Sequence, residues 1–128
     1  MMDAALRAFV RERAGRRCEY CQTHEEQDPF FSFHCEHIIA RQHGGPSVET
    51  NLAWACHHCN LHKGPNLSGV DPTSAAVVLL FNPRQLVWSE HFIANGPIVV
   101  GRTPIGRATI RVLDINAPAR VQLRVAKR

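Results

Sequence analysis

Two Cys-x-x-Cys pairs are the residues of this 128-residue sequence whose type and spacing best fit metal binding. The first pair is Cys18 and Cys21, and the second is Cys56 and Cys59. Structural zinc takes four ligands in tetrahedral geometry, and two such pairs supply four thiolates without strain. Buried structural thiols or a redox pair are the alternative readings. We predict that these four cysteines form one structural zinc site.

Disulfide bonds explain the cysteines less well. The sequence has five cysteines, so any full pairing leaves one over. The N-terminus lacks the apolar core of a secretory signal and no apolar run reaches membrane length, so we expect a cytoplasmic protein, where disulfides are rare. Cys35, which lies outside both pairs, is expected to pack in the core rather than to bind the metal.

The stretch around the second pair concentrates side chains that bind metals or move protons near neutral pH. Five of the eight histidines lie between His34 and His58. Hydrolysis of a phosphodiester bond needs a base that activates water and a cation that neutralises the charge developing on the phosphate. Both could be supplied by a set of four residues, namely Glu36, His37, Asn51 and Asn60.

Two helices are predicted on either side of this set. Asp3 is expected to cap a helix that begins at Ala4 and stops at Gly15, because apolar residues recur there at helical spacing. A short helix over residues 56–63, closed by Gly64, would hold the second cysteine pair.

A strand is predicted to lead into the Glu36-His37 pair. The phenylalanines of residues 30–33 have high strand propensity and begin this segment. Successive side chains of a strand point to opposite faces, so Glu36 and His37 can share one site only if the strand ends or bulges there.

The remainder of the chain is predicted to form short strands and helices. Thr103 and Pro104 are typical of an N-cap and a first helical residue. The predicted elements are a loop over 66–74, a strand over 77–81, a hairpin of 87–94 and 98–100, a helix from Pro104 that is broken at 116–118, and a final segment for which a short helix is favoured over a strand.

The positive charge is concentrated in the C-terminal part of the chain. The formal net charge is +4, and from Asn95 onward seven basic residues accompany Asp114 as the one acidic residue. A concentrated basic face suggests a polyanionic partner such as nucleic acid. A solvated, arginine-rich helix surface explains the same charge equally well.

Residues 18–64 resemble the HNH endonuclease family. The motifs are CEYC, then EHI, then NL, then CHHCN followed by Lys63, in the order found in the zinc-containing members of that family. The resemblance implies an α+β fold. Its parts would be a ββα-metal (His-Me finger) core with a four-cysteine zinc site, an N-terminal helix, and a C-terminal extension of hairpin and helix.

The resemblance also implies a role for each residue of the set. His37 would be the general base, and Asn51 would brace the loop and orient His37. Glu36 and Asn60 would hold a divalent cation, with Mg²⁺ favoured because it prefers oxygen ligands. Asp is commoner than Glu at the first of these positions, and His is commoner than Asn at the second. The possible phosphate contacts are Arg41, Lys63, Arg107 and Arg111.

The C-terminal part resembles the extension of a group of small bacterial HNH proteins, through LFNPRQLVWSEHF and GRTPIGRATIRVL. We therefore expect one HNH domain over 1–128. Its parts would be an N-terminal helix over 1–17, the zinc-containing core over 18–65, and a basic extension over 66–128. Trp88 and Phe92 are expected in the core rather than as platforms for stacked bases.

Two functional hypotheses follow from these residues. The first is a metal-dependent endonuclease that hydrolyses DNA, most simply double-stranded DNA, with His37 as base. The second is a zinc-stabilised nucleic-acid-binding module with little or no catalytic activity. A base placed beside a ligand for a hard metal favours the first, because a module that only binds needs neither. The residues give no prediction of oligomeric state or of target sequence.

Overall fold

A computed structural model describes residues 2–126, which form five α-helices and six short strands, together with three 3-10 helices of three residues each. The helices are α1 (Ala4–Arg13), α2 (His57–Lys63), α3 (Trp88–His91), α4 (Pro104–Leu113) and α5 (Pro118–Ala126). The strands are β1 (His34–His37), β2 (Leu52–Ala55), β3 (Ser68–Val70), β4 (Val77–Leu79), β5 (Phe92–Asn95) and β6 (Ile98–Gly101). Consecutive strands pair into three two-stranded antiparallel sheets. The described chain is therefore a mixture of short helices and short sheets.

Helix α1 begins and ends where the sequence predicts. Asp3 is its N-cap, and the carboxylate Oδ1 accepts a hydrogen bond of 2.8 Å from the backbone N–H of Leu6. Gly15 follows the last turn with φ of 63°, in the left-handed region that glycine adopts without strain. Val10 is fully buried and packs into the core, so α1 lies against β1 and β2.

Strands β1 and β2 form the hairpin that carries the Glu36-His37 pair. His34 lies opposite Ala55, and His37 lies opposite Leu52. All four residues of β2 are buried, so this sheet forms the centre of the core. The prediction that the strand ends at the Glu36-His37 pair is confirmed, since β1 stops at His37 with no bulge in its register.

The predicted start of this strand is wrong. Phe30 and Phe31 lie outside β1, with 74% and 59% of their surface exposed. Strand β2 ends at Ala55 because the next residue, Cys56, is already the N-cap of α2. The hairpin therefore has no residues opposite the phenylalanines, and strand propensity alone does not extend β1 to include them.

Helix α2 follows β2 directly and confirms the predicted helix and its end. Gly64, with φ of 50°, closes it. The helix packs against β1 on one side and α4 on the other.

The segment after α2 departs from the prediction at two points. Residues 66–74 were predicted as a loop, but Ser68–Val70 pairs with β4, because the Asp71 carboxylate closes the connecting turn by accepting hydrogen bonds from Thr73 and Ser74. Residues 88–91, predicted as part of a strand, form the short helix α3 instead.

The C-terminal helices confirm their predictions. Thr103 caps α4 through a 3.1 Å hydrogen bond from the backbone N–H of Gly106. A separate helix, α5, begins at Pro118. Lys127 and Arg128, which contribute to the predicted basic tail, lie outside the described residues.

The aromatic residues of the extension pack inward, as predicted. Phe92 is buried, and the half-buried Trp88 ring stacks on it with centroids 5.1 Å apart. The Trp88 indole N–H also donates to the backbone carbonyl of Tyr20, which ties the extension to the first cysteine pair. Among residues 2–126, no helix has the length and apolar character needed to span a membrane.

Candidate functional site

The four paired cysteines meet in the core, as the sequence predicts. The sulfur atoms of Cys18, Cys21, Cys56 and Cys59 all lie within 4.8 Å of one another, and all four residues are buried. In each pair, the backbone N–H of the second cysteine approaches the sulfur of the first, at 3.5 Å in one and 3.3 Å in the other. Four converging thiols in this geometry could hold a tetrahedrally coordinated zinc ion.

The protonation of these thiols is shared across the cluster. Burial raises the pKa of Cys18, whereas the hydrogen bond with Cys18 lowers the pKa of Cys21. The sulfur atoms of Cys21 and Cys56, from different pairs, are 3.8 Å apart. Zinc binds thiolates and displaces their protons, so the donor set fits the ion without rearrangement of the backbone.

Cys35 stays apart from this cluster. It is half-buried in β1 and packs against the core, as predicted. Burial raises the pKa of its thiol, which keeps it in the protonated, unreactive form.

His37 lies at the end of β1, half-buried, with Nε2 2.8 Å from the hydroxyl oxygen of Ser47. Burial lowers the pKa of His37, and the positive charge of Arg41 lowers it further. Both effects favour the neutral imidazole near neutral pH, which is the form that can accept a proton.

Asn51 closes the loop that connects His37 to β2. Its Oδ1 accepts from the backbone N–H of Ile39 at 2.9 Å, and its Nδ2 donates to the carbonyls of Ile39 and Pro46 at 3.0 and 2.9 Å. Gly45 permits this closure, since a Cβ there would lie 1.7 Å from the Ile39 carbonyl oxygen. Asn51 therefore fixes the backbone between His37 and Ser47, the partner of His37, without bonding to His37 itself.

Glu36 points into the core, where both of its carboxylate oxygens are engaged. Only 4% of its surface is exposed, and 2% of that of Lys63. The Lys63 ammonium donates to Glu36 Oε2 at 2.7 Å and to the Ile38 carbonyl at 2.9 Å, while the Tyr20 hydroxyl donates to Oε1. Burial raises the pKa of Glu36, and the Lys63 charge opposes that rise.

Asn60 lies on α2 in a half-buried position. Within residues 2–126 its side-chain amide has no hydrogen-bond partner, so it is free to bind a ligand. The structure thus divides the predicted residues into two groups. His37, Arg41 and Asn51 lie at the end of β1 and in its connection to β2, together with Ser47, which was not predicted, while Glu36 and Lys63 form a buried pair.

Two of the predicted phosphate contacts are engaged elsewhere. Lys63 is buried against Glu36 and does not reach the surface. Arg107 bonds Asp71 through both Nε and Nη2, at 2.8 and 2.9 Å. Arg41 and Arg111 are exposed and remain available to a phosphate.

The arginines of the C-terminal extension mostly serve internal contacts. Of the five arginines between residues 95 and 126, only Arg111 makes no such bond. The others bond to the Ser89 carbonyl (Arg102), Asp71 (Arg107), Asp28 (Arg120) and the Pro97 carbonyl (Arg124). The predicted basic face is therefore largely engaged in contacts within the extension, and of these four arginines only Arg120 bonds a residue outside it.

Four of the five other histidines of the central stretch bond to one another or to backbone carbonyls. His34 Nε2 lies 3.0 Å from His57 Nδ1. His58 Nε2 lies 2.9 Å from the Asp114 carbonyl at the end of α4, and His62 Nδ1 lies 2.9 Å from the carbonyl of His58. His34 therefore does not join Glu36 as a further ligand, although the sequence places them on one face of the strand.

Sequence reasoning missed the partners of these residues. Tyr20 lies between the two cysteines of the first pair, and its hydroxyl donates to Glu36. Its position between two predicted zinc ligands was the one sequence signal that could have placed it near the site. Ser47 lies in a glycine-rich turn whose conformation depends on Asn51. Neither contact follows from sequence spacing.

Comparison with known proteins gives one match, to the central part of the chain. A family model described as HNH endonuclease matches residues 18–66, the segment that holds both cysteine pairs and His37. No curated protein and no solved structure matches the chain. Residues 18–66, which make up less than half of the chain, are thus similar to the HNH endonuclease family.

Proposed function

We propose that the protein is a DNA endonuclease in which β1, β2 and α2 form a ββα-metal core and His37 is the general base. The observation that carries the proposal is His37 itself, within the segment that is similar to the HNH endonuclease family. It is half-buried at a strand end, has a lowered pKa, and is bonded through Nε2 to Ser47. A base held in its neutral form at a fixed orientation is what activation of water requires.

Ser47 would select the reactive nitrogen. When His37 Nε2 donates its proton to the Ser47 oxygen, Nδ1 carries the lone pair that accepts a proton from water. The hydroxide so formed attacks phosphorus, the bond to the leaving oxygen breaks, and the leaving oxygen takes a proton from solvent. Asn51, by fixing the loop, would keep Ser47 and His37 in register.

The resemblance to the HNH family assigns Glu36 and Asn60 as ligands of a divalent cation, with Mg²⁺ as the first choice. Such an ion would offset the charge that develops on the phosphate. In the arrangement described, Glu36 does not fit this role, because Lys63 and Tyr20 occupy both of its oxygens and it is buried. The proposed proton transfer therefore uses His37 alone.

Arg41 is the proposed phosphate contact nearest the reaction. It is exposed, and its charge acts on His37, so a phosphate bound by Arg41 would lie close to the base. Arg111, exposed on α4, is a second proposed contact with double-stranded DNA.

The pH dependence of plasmid cleavage tests this function. The rate should rise with pH as His37 loses its proton and then level off, with a midpoint below the ordinary histidine pKa of 6.5, because burial and Arg41 both lower that pKa. Arg41→Gln removes a positive charge, so the His37 pKa rises and the midpoint should move to higher pH.

Arg111→Gln is the matched control, since it removes an exposed arginine that does not act on His37. The midpoint should stay unchanged in this variant, whatever its effect on DNA binding. A cleavage rate that does not depend on pH between about pH 5 and 8 would contradict the role of His37. Binding of DNA without cleavage under any divalent metal would favour the binding-module hypothesis instead.

A further inference from the structure

A second group of metal-binding side chains lies where α2 meets α4. His58 and His62 are one turn apart on α2, and Asp114 is the C-cap of α4. One ring nitrogen of each histidine and a carboxylate oxygen of Asp114 all lie within 4.8 Å of one another. Among residues 2–126, the four cysteines and these three residues are the two groups of metal-binding side chains that come so close together.

Hydrogen bonds to backbone carbonyls orient both histidine rings. His58 Nε2 lies 2.9 Å from the Asp114 carbonyl, and His62 Nδ1 lies 2.9 Å from the His58 carbonyl. A carbonyl oxygen can only accept, so each of these nitrogens carries the proton of a neutral imidazole, and the other nitrogen of each ring keeps its lone pair. Metal-binding histidines in proteins are oriented by hydrogen bonds of this kind. The two rings also lie against each other, with centroids 4.0 Å apart.

Asp114 supplies the negative charge of the group. Its backbone is left-handed, with φ and ψ both 48°, a conformation that aspartate adopts more readily than most residues. Within residues 2–126 its carboxylate makes no hydrogen bond or ion pair, and the residue is exposed. The carboxylate therefore does not have to break a contact in order to bind an ion.

Two imidazoles and one carboxylate are a donor set that suits divalent transition metals. The bonds from zinc to such ligands are about 2.0–2.2 Å long, and rotation of the exposed His62 and Asp114 side chains can bring the three donors to that distance. The exposure of the group leaves room for water at the remaining coordination position. Asn60 belongs to a different face of α2, because residues two apart on a helix do not face each other.

We propose that His58, His62 and Asp114 form a second metal site, which takes a divalent transition-metal ion such as Zn²⁺. The ion would join α4 of the C-terminal extension to α2, the helix that carries the second cysteine pair. This site is separate from the four-cysteine site and from the proposed catalytic cation, and the inference does not depend on nuclease activity.

Zinc titration of the zinc-loaded full chain, measured by calorimetry and by metal analysis after dialysis, tests the proposal. Wild type should bind one ion beyond the ion held by the four cysteines. His62→Ala and Asp114→Asn should each weaken this second binding at least about tenfold, no less than the loss of a residue that only supports a metal ligand. Both side chains are exposed, and asparagine tolerates the left-handed backbone, so both variants should keep the fold.

Two control variants should leave the second binding within about twofold of wild type. His43→Ala removes an exposed histidine outside the group, and Asn60→Ala removes a proposed ligand of the catalytic cation. A wild-type protein that binds a single zinc ion, or a second binding of wild-type strength in either His62→Ala or Asp114→Asn, would overturn the proposal. Loss of the second binding in Asn60→Ala would also overturn it, because the ion would then belong to the catalytic position.

Thermal melting tests whether the ion joins the two helices. Zinc beyond one equivalent should raise the melting temperature of wild type, since a ligand that binds the folded state stabilises it, and should not raise that of His62→Ala. An equal rise in both proteins would contradict the proposed site.

Discussion

Removal of zinc is expected to unfold the protein rather than only to slow its reaction. The four cysteines form part of the core and join a segment after α1 to the start of α2. Structural zinc in small domains contributes about 10–16 kcal/mol of apparent binding free energy, as much as the whole stability of a typical protein, about 5–15 kcal/mol. Without the ion, four buried thiols remain, and no interaction among them stabilises the fold as much as zinc binding does.

Chelation followed by circular dichroism and thermal melting measures this effect. Helical signal and the cooperative melting transition should both be lost, and Cys59→Ser should behave like the chelated protein. Cys35→Ser is the matched control, because Cys35 lies outside the cluster, and it should retain the transition. Unchanged helical content and melting temperature after complete zinc removal would contradict the structural role of the metal.

Lys63→Met is expected to destabilise the protein by about 3–5 kcal/mol, the usual cost of leaving one charge of a buried pair without its partner. Lys63 and Glu36 are 2% and 4% exposed, and the ammonium also bonds the Ile38 carbonyl. Loss of the ammonium leaves Glu36 Oε2 buried and unsatisfied. Urea unfolding of zinc-loaded protein measures the loss.

The double variant Lys63→Met with Glu36→Gln should recover much of that stability, because a neutral amide costs less to bury and can still accept from the Tyr20 hydroxyl. Arg16→Met is the control, since it breaks the exposed ion pair with Glu12 and should change stability little. If Lys63→Met has the same midpoint of urea unfolding as the wild type, the buried pair contributes nothing to the stability of the fold.

Local sequence signals predicted the elements that depend on nearby residues. The Asp3 cap, the two Cys-x-x-Cys pairs, the Thr103 cap and the end of α2 at Gly64 each follow from residues within one or two turns. The start of β1 was wrong, because it depends on how far β2 extends before Cys56 ends it. Strand length is set by the partner strand and cannot be read from one strand alone.

The contacts of the charged side chains were harder to predict than the helices and strands. Arg107 pairs with Asp71 and Arg120 with Asp28, which is 92 residues away in the chain. Lys63 turns inward to Glu36 across 27 residues. The sequence shows where the charged residues are, but not which of them form ion pairs inside the protein. That depends on tertiary contacts between segments that are distant in the chain.

The HNH motif correctly predicted which cysteines lie together, although the start of β1 and the contacts of several charged residues were not predicted. The cysteines were predicted from their spacing, and the structure brings all four together. His37 and Asn51 were predicted from the resemblance, and in the structure they lie at the two ends of the β1–β2 connection, which Asn51 closes. The roles of these two residues in catalysis stay predictions until activity is measured.

The most direct measurement of the central claim is single-turnover cleavage of supercoiled plasmid DNA by zinc-loaded wild-type protein and His37→Ala, in parallel, with Mg²⁺ and other divalent metals. Wild type should convert the plasmid to nicked or linear product. His37→Ala should retain its zinc and its fold but cleave about 10²–10⁴-fold more slowly, the usual contribution of a general base. Equal cleavage by both proteins, or intact plasmid with both under every metal, would contradict the assignment of His37 as the base of a nuclease.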